Sequence, residues 1–148
     1  MGRYASQADI VPSLIVESVA AQITRDDPAA ATIDTAVFAT HIEEAEAEVD
    51  AYLGARFALP LDTVPVLVRR LSARIARYRL YASRPGEVEA GVRADYDAAV
   101  RMLERIAEGR LEIGLASGGE AVATSSPGGG RVRTGSRPPV FGRSNQDH

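Results

Sequence analysis

One long stretch of the chain, residues 35–56, carries apolar side chains at a spacing of three or four positions. This spacing predicts an α-helix with a single apolar stripe. Asp34 stands just before the stretch, where its carboxylate is suited to cap the first helical turn. The apolar positions are Phe38, Ile42, Ala45, Val49, Tyr52 and Leu53. Such a helix has to bury its stripe against other elements.

The residues before this helix predict a shorter helical region. Ser6 followed by Asp9 favours the start of a short helix, and Pro12 interrupts it. A second apolar helical patch follows at residues 14–21. The prediction for the N-terminal part is therefore a broken pair of short helices.

Two more helices are predicted after residue 56, and a proline marks the start of the first and a glycine the end of the second. Pro65 suits the first turn of a helix that runs to about Ser83, and Gly109 is a natural stop for a last helix over residues 87–108. Residues 111–115 are either a short strand or a packed extended piece. The first helix would bury Leu67, Leu71, Ile75, Tyr78 and Ala82, and the second Val88, Val92, Tyr96, Ala99, Leu103 and Ile106. The predicted fold class for residues 1–115 is a small all-α bundle of about four helices.

The composition changes at residues 116–148, where 15 of 33 residues are Gly, Ser or Pro. Such a segment buries too little apolar surface to offset its ordering entropy, which predicts a long extended tail. The tail is either a floppy basic end or a flexible arm with a terminal anchor that fills an apolar site on a partner. The anchor residues would be Arg137, Val140, Phe141 and Arg143.

Little in the sequence predicts catalysis or a bound metal or cofactor. The chain has no cysteine and two histidines, and His41 beside an apolar stripe is typical of a packed or surface residue. Asp26, Asp27 and Asp34 suggest a calcium loop, but Pro28 and three alanines stand where such a loop would need further ligands and a glycine. No apolar run is long enough to cross a membrane. We therefore expect a protein that is not an enzyme and that has neither a cofactor nor a membrane partner.

The clearest charge feature is residues 69–84, which hold six arginines and no acid. On a helix, four of these arginines and one tyrosine fall within an arc of about 80°. They are Arg70, Arg74, Arg77, Tyr81 and Arg84. Three roles remain open for this arc: a basic face that pairs with the acidic residues 43–50 of the same subunit, an intersubunit surface, or a DNA-binding surface.

The whole chain has a net charge of −3, but its charges are segregated into acidic and arginine-rich segments. Unlike patches on one subunit favour head-to-tail contacts, which close into a ring where the rotation per step permits. The acidic side of such a contact, or of a contact within the subunit, would come from Glu43, Glu44 and Glu48. Together with Glu46 these glutamates are too nearly sequential to define one catalytic pair, and the four are predicted to form a solvated face.

Several ordered pieces of the sequence resemble the Mu-type phage head–tail connector family. The pieces are Gly2–Asp9, Val49–Leu53, Arg56–Leu61, Ile75–Tyr81, the stretch from Tyr96 to Ile113, and Val140–Arg143. The resemblance covers about residues 2–115 and the C-terminal element. Pro12 departs from the family pattern, as do the alanines that follow Asp26 and Asp27.

This resemblance implies an adaptor in the virion, made in the host cytoplasm and located at the head–tail junction. Such a protein forms a ring, commonly a dodecamer, that docks beneath the portal protein and lets DNA pass non-specifically through its lumen. A stopper or tail-completion protein would lie below it, and the C-terminal arm would reach the portal. Two alternatives stay open: a head-completion or stopper protein of the same junction, and a small DNA-binding regulator that uses residues 69–84.

Overall fold

The computed structural model describes residues 2–115, and within this range the protein is helical and contains no strand. The predicted all-α fold class is confirmed. The five helices are α1 (Gln7–Ile10), α2 (Glu17–Arg25), α3 (Thr35–Leu53), α4 (Val66–Ala82) and α5 (Ala90–Ala107). The tail, residues 116–148, and its predicted anchor at Arg137, Val140, Phe141 and Arg143 lie outside the described residues. None of the helices described is long and apolar enough to span a membrane.

The N-terminal region follows the predicted break at Pro12. Ser6 and Asp9 form a capping box, in which the Ser6 backbone N–H and hydroxyl donate to Asp9 Oδ2 at 2.8 and 2.7 Å. The second helix begins at Glu17, later than the apolar patch that starts at residue 14. Leu14 nevertheless packs half-buried against the core.

Helix α3 begins as predicted, because Asp34 caps it. The Asp34 carboxylate accepts hydrogen bonds from the backbone N–H groups of Ala36 and Val37 at 3.1 and 3.2 Å. Five of the six predicted apolar positions are buried, and the sixth, Tyr52, is half-buried. The single apolar stripe of this helix therefore faces the core as its spacing indicates.

The Asp34 cap gives a direct test of what stabilises the start of α3. We expect Asp34→Ala to lower the free energy of unfolding by about 1 kcal/mol, because two backbone donors lose their acceptor. Urea unfolding measures the difference. Asp62→Ala is the matched control, because Asp62 is an exposed loop carboxylate, and it should change stability by less than about 0.5 kcal/mol. Equal effects of the two substitutions would contradict the capping role.

Helix α4 is the central helix, and here the predicted inward face is partly wrong. Ala82 is exposed, and Leu67 and Tyr78 are only half-buried. The helix contacts each of the other four, so it buries more than the single stripe that its spacing indicates. The buried residues are Val68, Leu71, Ser72, Ala73, Ile75, Ala76 and Leu80.

Helix α5 packs on α4 and α3 and ends close to the predicted position. Val92, Ala99, Leu103 and Ile106 are buried, as the spacing predicts. The helix begins only at Ala90, so Val88 lies in the preceding loop, and both Val88 and Tyr96 are half-buried instead of buried. Gly109 follows with a φ of +77°, in the left-handed region that favours glycine. Residues 111–115 form no strand, but Leu111, Ile113 and Leu115 pack half-buried against the core. The short-strand alternative is therefore wrong, and the segment packs against the core without regular secondary structure.

Candidate interaction surface

The structure divides the predicted arginine arc into two parts. In the second half of α4, Arg77 Nη1 lies 3.0 Å from Asp95 Oδ2 on α5, and its guanidinium lies 5.9 Å from the centre of the Tyr81 ring. Arg84 lies beyond the end of α4 and pairs with Asp26 at 3.0 Å. These two arginines therefore hold elements of the same chain together.

The predicted pairing between the basic helix and the acidic helix exists, but an arginine outside the predicted arc makes it. Arg79 Nη2 lies 2.7 Å from Glu48 Oε2, and its Nη1 lies 3.6 Å from Glu44 Oε2. The same Glu44 Oε2 also lies 3.2 Å from His41 Nδ1. Two of the three predicted interface glutamates thus pair within the chain, whereas Glu43 is exposed on α3.

Two stacked tyrosines, one on α4 and one on α5, lie beside the ion pair between Arg79 and Glu48. The rings of Tyr78 and Tyr96 are 4.1 Å apart and nearly parallel. The Tyr96 hydroxyl donates to Glu48 Oε1 at 2.9 Å. Burial, and then the hydrogen bond to Glu48, raise the pKa of Tyr96 to about 12. The Glu48 carboxylate therefore contacts the Arg79 guanidinium on α4 and the Tyr96 hydroxyl on α5, and these two contacts fix its position.

The raised pKa of Tyr96 predicts a specific loss of stability at alkaline pH. The folded pKa lies above the ordinary value of 10.0, so the stabilising contribution is fully present below pH 10 and is lost as the pH rises towards 12. We expect the free energy of unfolding to fall more steeply over this range in the native chain than in Tyr96→Phe. Urea unfolding at stepped pH measures both slopes. Identical slopes would contradict the role of the hydroxyl.

The prediction that Glu46 belongs to a solvated acidic face is wrong, because its side chain is only 3% exposed. It accepts hydrogen bonds from the backbone N–H groups of Tyr4 and Ala5 at 2.6 and 3.3 Å. Next to it, Asp50 pairs with Arg3 at 2.7 Å and accepts a hydrogen bond from the Tyr4 hydroxyl. A side chain at Gly2 would collide with Ala5 and Glu46. Glu46 and Asp50 of α3 therefore bind the N-terminal segment and hold it against the bundle.

The first half of α4 carries the other three arginines of residues 69–84, which are Arg69, Arg70 and Arg74. Arg70 is exposed and Arg74 half-buried, and with Arg69 they line a groove of about 490 Å³ between α4 and the α1 region. Leu14 and Val66 contribute apolar surface to the same groove. Within residues 2–115, none of the three arginines forms an ion pair. We call this site the arginine groove.

The described residues include no cluster of three or more side chains suited to hold a metal ion. Asp34, one of the acids considered for calcium, serves as a helix cap. Asp26 pairs with Arg84, and Asp27 accepts a hydrogen bond from the Ala29 backbone at 2.8 Å. These acids all have structural partners in the fold.

The sequence patterns do not predict the contacts of two residues, Arg79 and Glu46. Arg79 lies off the predicted arc, and only the angle at which α4 crosses α3 decides that it reaches Glu44 and Glu48. Glu46 adjoins the apolar stripe at Ala45 and Val49. That position next to the stripe is the one signal that could have marked it as buried.

Comparisons with known proteins give matches to phage proteins. Residues 4–133 match the protein family described as Bacteriophage Mu, Gp36. The chain is 37% identical over 121 residues to gene product J of Escherichia phage Mu, which covers 82% of each protein. It is 36% identical over 99 residues to the Mu-like prophage FluMu protein gp36 of Haemophilus influenzae, covering 67% of this chain and 68% of the relative. The resemblance to a Mu-type phage family is thus confirmed, and the chain belongs to the Bacteriophage Mu Gp36 family.

Proposed function

We propose that this protein is a structural component of the phage particle, the head–tail adaptor that forms a ring beneath the portal protein. Membership in a phage Mu family supports a role in the phage. The resemblance to connector proteins supports the location at the head–tail junction, with DNA passing through the lumen. The observation that carries the proposal is the arginine groove, a concave basic surface whose three arginines have no ion pair within residues 2–115.

The arrangement of the arginines favours a protein partner over DNA. A regulator that binds duplex DNA through residues 69–84 would need the arc free to contact phosphates. Arg77 and Arg84 instead pair with Asp95 and Asp26. The remaining arginines border apolar surface, and guanidinium groups next to apolar surface are typical of protein interfaces.

The C-terminal arm supplies the second contact in this proposal. Its basic and apolar anchor, Arg137, Val140, Phe141 and Arg143, would dock on the portal, while the helical bodies contact each other in a ring, commonly of twelve copies. The stopper or tail-completion protein would bind the opposite side of the ring. A stopper role for this chain itself is the alternative within the same junction.

Docking on the portal ring of the same phage tests the proposal. The full chain should cosediment with purified portal rings, whereas Phe141→Asp should not, because a charge replaces the apolar anchor. Phe141→Leu is the matched control and should retain docking. Urea unfolding of both variants at the midpoint of the native chain would show that the lost docking is not a loss of folding.

The DNA-binding alternative predicts a different outcome in a parallel assay. A regulator should bind short duplex DNA tightly without the portal, and its affinity should fall steeply with salt. An adaptor should bind free duplex DNA weakly. Tight DNA binding together with no portal docking would overturn the proposed function and favour the regulator.

A further inference from the structure

The arginine groove combines guanidinium groups with apolar surface. Arg69 and Arg70 are exposed, Arg74 is half-buried, and Val66 beside them is 61% exposed. Leu14 lies across the groove from α4 and forms part of its apolar surface. Guanidinium groups pair with carboxylates in a planar, bidentate geometry. The matching ligand is therefore a short acidic segment with an apolar residue.

The one acid that lines the groove does not neutralise it. Asp9 Oδ2 is occupied by the Ser6 backbone N–H and hydroxyl in the capping box. These hydrogen bonds, and to a smaller extent the charge of Arg69, lower the pKa of Asp9. Asp9 forms no ion pair with an arginine within residues 2–115. The groove therefore keeps a net positive charge.

A segment of complementary chemistry lies elsewhere on the same chain, in the loop between α4 and α5. Glu87 and Glu89 are exposed and flank Val88, which is half-buried. Neither glutamate forms an ion pair within the described part of the chain. The nearest arginines in sequence are engaged by other groups: Arg84 binds Asp26 at 3.0 Å, and Arg93 donates to the Tyr78 hydroxyl at 3.5 Å. We call residues 85–89 the acidic loop.

We propose that the acidic loop of one copy docks in the arginine groove of a second copy of this chain. The carboxylates of Glu87 and Glu89 pair with Arg70 and Arg74, and Val88 contacts the apolar surface beside them. This inference rests on the proposed function, because it specifies the contact between neighbouring subunits of the ring. It differs from DNA binding in that it uses the apolar surface of the groove as well as its charge.

The positions of the two surfaces suit a repeated head-to-tail contact. The groove lies along the first half of α4, and the acidic loop follows the end of that helix. A copy can therefore insert its loop into one neighbour while its own groove receives the loop of another. Such a heterologous contact generates a closed ring where the rotation per step permits.

Charge reversal in the full chain tests this contact. Arg70→Glu with Arg74→Glu makes the groove acidic, and Glu87→Arg with Glu89→Arg makes the loop basic. Each double variant alone should assemble at least about tenfold more weakly than the native chain, because like charges then face each other. An equimolar mixture of the two variants should assemble again, since each loop then meets a groove of opposite charge. The chain that carries all four reversals should also assemble.

Native mass spectrometry of the chain, alone and with portal rings, measures the assembly. Arg101→Glu with Arg105→Glu is the matched control, because these are two exposed arginines of α5 without an ion pair among residues 2–115. The control should assemble like the native chain. All variants should keep the helical circular dichroism of the native protein, because the substituted groups make no ion pair in the described structure.

The possible failures are distinguishable. Absence of assembly by the native chain, with and without the portal, would overturn the proposed ring itself. Normal assembly of both double variants would overturn only the contact between groove and loop. Loss of portal docking in the groove variant alone would assign the groove to an acidic partner protein, and loss of duplex DNA binding in that variant alone would assign it to nucleic acid. Either result would overturn the pairing of two copies.

Discussion

Glu46→Ala should lower the free energy of unfolding by about 2–4 kcal/mol, because two buried backbone donors would lose their acceptor. Those donors are the N–H groups of Tyr4 and Ala5, at 2.6 and 3.3 Å from Glu46 Oε1. The nearby Arg3 contributes less, because its side chain is 52% exposed and lies 3.8 Å from the carboxylate. The expected loss reflects the release of the N-terminal segment from α3.

Urea unfolding followed by circular dichroism measures this effect, and the same helix offers a matched control. Glu43 is exposed and makes no ion pair within residues 2–115. Glu43→Ala should therefore change the free energy of unfolding by less than about 0.5 kcal/mol. Glu46→Gln, which keeps one oxygen acceptor, should fall between the two. A loss below about 0.5 kcal/mol for Glu46→Ala would contradict its fastening role.

Leu103→Ala should cost a similar or larger amount, about 2–5 kcal/mol, because it leaves a cavity in the core. The Leu103 side chain on α5 is fully buried. The core of this small chain is rich in alanine, including Ala45, Ala76 and Ala99. An alanine side chain ends at Cβ and has no flexible atoms with which to fill a neighbouring cavity.

The neighbouring residue provides the control for this cavity. Met102 precedes Leu103 on the same helix and is 36% exposed. Met102→Ala should therefore lower the free energy of unfolding by less than half as much as Leu103→Ala in the same urea experiment. Equal losses would mean that the buried face of α5 is not the one described.

The apolar spacing predicts α3 and α5 well because each buries essentially one stripe. Asp34 and Gly109 mark two of their ends by local chemistry, a side-chain cap and a left-handed turn, which the sequence carries by itself. The spacing fails for α4 because this helix has neighbours on several sides. Ser72 is buried and Ala82 is exposed on that helix, contrary to what their side chains alone indicate.

The charges are predictable as segments but not as pairs. The sequence shows that residues 69–84 are basic and residues 43–50 acidic. Only the packing of three helices decides that Arg79 binds Glu48 while Arg77 binds Asp95. The arginine groove contains the three arginines of residues 69–84 that this packing leaves without an ion pair within residues 2–115. It could not be separated from the rest of the arc before the fold was known.

The mass of the complex between the full chain and the portal ring tests the adaptor role most directly. Native mass spectrometry of the portal ring, before and after addition of the chain, counts the copies bound. We expect a single fixed increment that corresponds to one complete ring of this protein. Portal rings whose mass does not change, or that bind a variable number of copies without saturation, would contradict the adaptor role.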